Sequence, residues 1–235
     1  IVDNTYLVHF GERILSIRTL LKRYCLHSGH ASDSIPSHDM RMQVVDRNSF
    51  PNYKGHDPNG IDNITGPGNY NFSNTTYLNY FTPAFVARRG SIRYKHTYDC
   101  TSSAAATGRL MVSRAPRVSV YGVNEYQLSL NGRSHSFNHR DLTFPASGLA
   151  GTALTSNNLV GCLETDIPYY SPTRFSFARH KDINNGLAID YTNRAFISEQ
   201  FPRSSEGVNA VSRYVAAGED YNLCLFIGVP VMYSE

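Results

Sequence analysis

At 235 residues, with 41% hydrophobic and only 17% charged residues and a formal net charge of +3, the chain can bury a substantial core as one all-β unit. It is too mildly basic to require a dedicated nucleic-acid domain, and it falls below the usual quarter of charged residues. Its 16 Tyr and 12 Phe, with no Trp, suit strands and surfaces buried against partners alike.

The first element is a helix over Gly11 to Tyr24, where Ile14, Ile17, Leu21 and Tyr24 recur at three- and four-residue spacing with Leu20 beside them. Glu12 near its start and Lys22 and Arg23 near its end suit the helix dipole. These apolar positions are the candidates for packing on the barrel or a neighbouring subunit. Arg13, Arg18, Lys22 and Arg23 are the candidates for phosphate contact; so is the later group Arg88, Arg89, Arg93 and Lys95. A solvated helix face with subunit ion pairs is the simpler reading of both groups.

Residues 28–75 are rich in Gly, Ser, Asn, Asp and Pro, with Pro51-Asn-Tyr-Lys-Gly and Asp57-Pro-Asn-Gly as turn signals, and Met40 to Val45 as the best strand within them. Tyr77 to Phe85 predicts a short helix ending near Phe81, because Pro83 cannot continue it. From Gly90 to Tyr98 the chain alternates strictly, Ile92, Tyr94, His96 and Tyr98 on one face, which predicts a half-buried strand. Further strands are expected at Arg109 to Ser113, Val118 to Val123, Tyr126 to Leu130, Leu159 to Glu164, Arg174 to Phe177, Leu187 to Tyr191 and Tyr221 to Val229. Many short strands, few helices and no βαβ alternation point to a sandwich or jelly roll, read as one domain over 1–235 whose first 75 residues lead into the barrel.

Four segments in order, Gly11-Glu-Arg-Ile-Leu-Ser-Ile-Arg-Thr-Leu-Leu-Lys-Arg, Leu78-Asn-Tyr-Phe-Thr-Pro-Ala-Phe-Val-Ala-Arg-Arg-Gly-Ser-Ile-Arg-Tyr-Lys, Ile167-Pro-Tyr-Tyr-Ser and Ala217-Gly-Glu-Asp-Tyr-Asn-Leu-Cys-Leu-Phe-Ile-Gly-Val-Pro, resemble the capsid proteins of picornavirus-like insect viruses. The resemblance is closest to the last structural protein of the dicistrovirus precursor, and iflavirus subunits share similar segments. It implies an all-β, eight-stranded antiparallel jelly roll with an N-terminal arm along the inner face of the shell and one or two short helices. It also implies a place near the fivefold axis of an icosahedral RNA virus, with other capsid proteins and packaged single-stranded RNA as partners, no cofactor, and residence in the virion after assembly in the host cytoplasm. Asn131-Gly132 and Asn184-Asn185-Gly186 are candidate outer loops toward a host receptor. Some members of this group carry an Asp-Asp-Phe motif linked to maturation cleavage. Here the nearest pattern is Glu219-Asp220-Tyr221, more simply a turn, which puts any cleavage role of this subunit in doubt. A lectin-like β-sandwich binding module is the alternative function.

Enzymatic readings find little to stand on. His139-Arg140-Asp141-Leu142 matches half of a kinase catalytic loop, but Ala146 stands where the metal-binding Asn belongs. There is no Gly-x-Ser-x-Gly elbow, Walker loop or dinucleotide fingerprint. Cys25, His27 and His30, with His38 nearby, lack clean zinc spacing, and packed or surface histidines are the simpler reading. Cys25, Cys100, Cys162 and Cys224 form no CxxC pair and are expected as free thiols. The sequons at Asn63, Asn71 and Asn74 are read as polar loop residues, since no secretory leader and no apolar run long enough to span a membrane are visible.

Overall fold

The computed structural model describes residues 14–32, 41–48, 50–56, 62–63, 69–100, 109–115, 128–129, 151–156, 161–169, 174–178, 196–203 and 209–229. In chain order it has α1 (Ile17–Leu21), β1 (Cys25–Ser32), β2 (Arg41–Asn48), β3 (Gly55–His56), β4 (Asp62–Asn63), β5 (Asn69–Asn71), α2 (Tyr77–Phe81) and a 3₁₀ turn (Thr82–Ala84). Then follow β6 (Phe85–Arg89), β7 (Ile92–Cys100), β8 (Arg109–Ala115), β9 (Leu128–Ser129), β10 (Thr152–Ser156), β11 (Cys162–Ile167), β12 (Ser176–Phe177), β13 (Phe196–Arg203), β14 (Asn209–Ala217) and β15 (Asn222–Phe226).

Two sheets carry the fold, in the orders β1-β14-β7-β11 and β10-β8-β13-β2-β9, with antiparallel pairing throughout. Setting aside the two-residue β9, the remaining strands counted along the chain run first-eighth-third-sixth in one sheet and fifth-fourth-seventh-second in the other. Chain-neighbouring strands thus alternate between sheets except at the fourth and fifth, which is the connectivity of an eight-stranded jelly roll. Two smaller sheets, β12-β6-β15 and β3-β5-β4, flank it.

The alternation read from Gly90 to Tyr98 is realised in β7. Ile92, Tyr94, His96 and Tyr98 are buried, and Arg93, Lys95 and Thr97 face partly outward. Ile92 and Tyr94 join Val215 and Val112 in the main core cluster, and Tyr98 joins Val211 and Leu110 in a second. Because Val112 and Leu110 come from β8, both clusters bridge the two sheets.

Several expectations shift. The helix predicted over residues 11–24 is five residues long within the described region: Ser16 is already extended at φ −152° and ψ 152°, and the chain enters β1 at Cys25. A short amphipathic pattern cannot hold a helix by propensity, and pairing of β1 with β14 begins at Cys25, directly after the predicted helix. The strand expected at Met40 to Val45 is realised as β2 (Arg41–Asn48), and the stretch read as turn-rich also holds the end of β1 and three short strands. The helix before Pro83 is borne out: Thr76 caps it, its hydroxyl oxygen accepting the Asn79 N–H at 3.2 Å. Strands β6, β10, β13 and β14 were not singled out by the sequence reading, and Val118 to Val123 and Leu187 to Tyr191 lie outside the described residues.

Candidate subunit interface

The segment that the sequence marked for packing and charge contacts sits against the turn before β15. A five-residue helix is not stable alone, and α1 is held by one buried residue, Leu21, and by two basic side chains. Arg18 Nη1 donates to Asn222 Oδ1 at 3.3 Å and Nη2 donates to the Glu219 carbonyl, while Lys22 Nζ pairs with the Glu219 carboxylate. The Lys22 hydrogen bond holds the Glu219 carboxyl below its ordinary range. Thus Arg18 and Lys22, both among the predicted phosphate contacts, bind the chain itself. Arg23 is partly buried, and Arg13 lies outside the described residues.

The predicted packing stripe is split. Leu21 is 5% exposed, but Ile14 is 50% and Ile17 44% exposed, and Leu15, not singled out from the sequence, is 80% exposed. Tyr24 is partly buried, with the Arg93 guanidinium 5.2 Å and the Lys95 ammonium 6.0 Å from its ring centre; burial raises its hydroxyl pKa. Lys95 and Arg93 also reach Glu164 at 3.2 and 3.9 Å. In the second basic group Arg88 is buried, its guanidinium 3.9 Å over the Phe50 ring, and Arg89 is exposed.

Glu219-Asp220-Tyr221 forms the tight turn the sequence suggested, clasped to the turn before β7. Asp220 Oδ1 accepts the Ser91 N–H at 2.8 Å and the Ser91 hydroxyl, and the Gly218 N–H donates to the Ser91 carbonyl at 2.9 Å. The Ser91 hydroxyl, against a smaller effect of burial, holds the Asp220 carboxyl below its ordinary range. Gly90 has φ +114°, and a Cβ there would collide with main-chain atoms of Asp220 and Tyr221, so the approach needs glycine. Tyr221 is buried, shares a 3.0 Å hydrogen bond with Thr82, and is pushed up to about 12 by burial. This turn is occupied by structural bonds.

Beyond the clasp the chain turns apolar and exposed. Leu225, Phe226, Ile227 and Val229 are 72%, 63%, 64% and 80% exposed, and on the same small sheet Val86 and Phe177 are exposed as well. Leu225 has φ +58°, a left-handed conformation that a leucine adopts at a cost. This exposure is not legible in the sequence, because an apolar strand reads the same whether its partner is its own core or another molecule.

Among the described residues no group of three or more His, Cys, Asp or Glu side chains could hold a metal ion, and Cys25, Cys162 and Cys224 form no disulfide. No helix among them is long and apolar enough to cross a membrane. Asn71 is buried and Asn74 exposed. His139 to Leu142, Asn131-Gly132, Asn184 to Gly186 and the Cys100 side chain lie outside the described residues.

The family model described as CRPV capsid protein like matches residues 3–235. A structure of a marine algae virus of the order Picornavirales is 32% identical with a TM-score of 0.78, covering 99% of this chain and 88% of that one. The Triatoma virus empty capsid is similar in fold at 16% identity and a TM-score of 0.59, covering 98% and 87%. A deformed wing virus structure is similar in fold at 14% and 0.58, covering 96% and 87%. No curated protein matches the chain.

Proposed function

From the premise that the chain belongs to the CRPV capsid protein like family and is a dicistrovirus-like structural subunit of the virion, we propose that it assembles with the other capsid proteins of its virus, without catalysis, into an icosahedral shell around single-stranded RNA. The observation that carries the reading is the family match over residues 3–235 on a chain folded as a jelly roll. A lectin-like module is not favoured, since it accounts for neither the match nor the exposed apolar residues. In this reading 1–235 is one domain, assembly takes place in the host cytoplasm, and the shell position is near the fivefold axis.

Ile14, Ile17 and the stretch from Leu225 to Val229 serve as subunit contacts, because exposed apolar side chains grouped on one molecule are stabilised by a partner surface. RNA contact is assigned to Arg13, Arg18, Lys22 and Arg23. With Arg18 and Lys22 already engaged by Glu219 and Asn222, that contact is weak, sequence-blind and salt-dependent. Host-receptor contact is assigned to Asn131-Gly132 and Asn184 to Gly186 from their sequence alone.

Co-expression with the remaining capsid proteins of the same precursor, followed by gradient sedimentation, tests the proposal. The expected result is a particle that contains this chain. A chain that stays monomeric in every combination while the other subunits form complete shells would overturn it.

A further inference from the structure

Glu219 stands on a fixed part of the molecule. Its neighbour Asp220 accepts the Ser91 N–H at 2.8 Å, the Gly218 N–H donates to the Ser91 carbonyl at 2.9 Å, and the buried Tyr221 shares a hydrogen bond with Thr82. Asn222 Nδ2 donates to the Asp220 carbonyl at 3.0 Å, which leaves its Oδ1 for Arg18. One turn thus presents three oxygens to α1. The Asn222 amide oxygen and the Glu219 carbonyl accept from Arg18, and the Glu219 carboxylate accepts from Lys22. Arg18 and Lys22 are four residues apart, so one side of the helix meets one side of the turn.

Of the three acceptors, only the carboxylate is charged. The two neutral oxygens orient Arg18 without cancelling its charge, whereas the carboxylate balances the charge of Lys22. An ammonium has three N–H groups and could donate to a phosphate as well. The attraction that draws a polyanion, however, comes from net charge and from the counterion that binding releases. For Lys22 that counterion is already part of the chain. The Lys22 hydrogen bond, followed by the Lys22 charge, holds the Glu219 carboxyl below its ordinary range, so it is ionised at neutral pH.

The pair is also free to open. The Glu219 side chain is 75% exposed and that of Lys22 30% exposed. The carboxylate can swing into water while α1 stays anchored by the buried Leu21 and by the neutral acceptors of Arg18.

We propose that Glu219 is a built-in competitor of RNA at α1: its carboxylate occupies Lys22 in the free subunit, and a backbone phosphate takes the carboxylate's place when RNA binds. Arg18, oriented by neutral oxygens, contributes with or without that exchange. The proposal rests on the assignment of RNA contact to α1 and adds the group that regulates it.

Titration of the full unassembled chain with a single-stranded oligouridylate over a range of salt concentrations tests this as a double-mutant cycle of Glu219→Gln and Lys22→Gln. Both side chains reach solvent, so neither substitution opens the core. With Glu219 in place, Lys22→Gln should change the affinity little. Glu219→Gln keeps the side-chain size and removes the charge, so it should raise the affinity about twofold to fivefold. It should also steepen the log-log salt dependence by about 0.7, the value of one more phosphate contact on a single strand. Adding Lys22→Gln to Glu219→Gln should cancel both gains. Equal losses from Lys22→Gln in the two backgrounds, or a gain from Glu219→Gln that survives Lys22→Gln, would overturn the proposal and leave RNA contact standing. Absence of binding by all four proteins would overturn both.

Discussion

β7 and β15 both carry apolar and aromatic side chains, yet those side chains end in opposite environments. β7 buries Ile92, Tyr94, His96 and Tyr98 because it lies inside a four-stranded sheet, between β14 and β11, with the second sheet across from it. Among the described residues β15 pairs only with β6, at the rim of a three-stranded sheet, and Leu225 and Phe226 are largely exposed. Aromatic and large apolar residues favour the extended conformation in both. What covers a strand decides whether its apolar area stabilises the subunit or is left for assembly.

The largest effect that separates the two regions is truncation of their aromatic residues. Tyr94→Ala should cost the unassembled subunit about 3–5 kcal/mol by lost burial and a cavity, whereas Phe226→Ala should cost it only about 0.5–1.5 kcal/mol, for its edge-to-face contact with Phe85, and mainly lower particle yield. Chemical denaturation beside gradient sedimentation makes the comparison. A large loss of subunit stability in Phe226→Ala would break it.

The same contrast recurs within α1. Leu21→Ala should destabilise the subunit by about 2–5 kcal/mol. Ile17→Ala should leave its melting curve within about 0.5 kcal/mol and reduce particle formation. Equal effects of both substitutions on the melting curve would mean that α1 is a core element throughout.

The joint between the two regions is the clasp of Gly90 and Ser91 with Asp220. Gly90→Ala meets main chain at a positive φ, which predicts a loss of about 2 kcal/mol or more, measured as a shift in denaturation midpoint. Ser91→Ala, which removes the hydroxyl donor but keeps the N–H, should lose less.

The smallest effect is in pH. With its folded value held below that of the unfolded chain by Ser91, the Asp220 carboxyl adds stability that is fully present above about pH 4 and lost as pH falls through the lower, folded value. Asp220→Asn should flatten that part of the stability curve. An unchanged acid limb in the variant would show that the clasp does not contribute there.

Much of the barrel was legible because local rules and tertiary position agree in β7, in β8 and in the capped helix before Pro83. β14 escaped notice because its two central serine and arginine positions, Ser212 and Arg213, interrupt an apolar run; Arg213 is nevertheless buried, bonded to Ser28. The interface was legible only as residue types. Arg18 and Lys22 look like free cations in a sequence, and their engagement by Glu219 and Asn222, some two hundred positions away, is a product of folding.

By itself, the sequence determined the class of the molecule, the alternation that makes β7 a core strand, the break at Pro83 and the tight turn at Glu219 to Tyr221, since each depends on neighbours within a few residues. The extent of α1, the pairing of residues 25–32 with β14 and the exposure of Leu225 to Val229 were decided by tertiary structure. Each of these depends on which distant strand arrives alongside, and hydrogen-bond partners and burial across a jelly roll are set by pairings far apart in the chain.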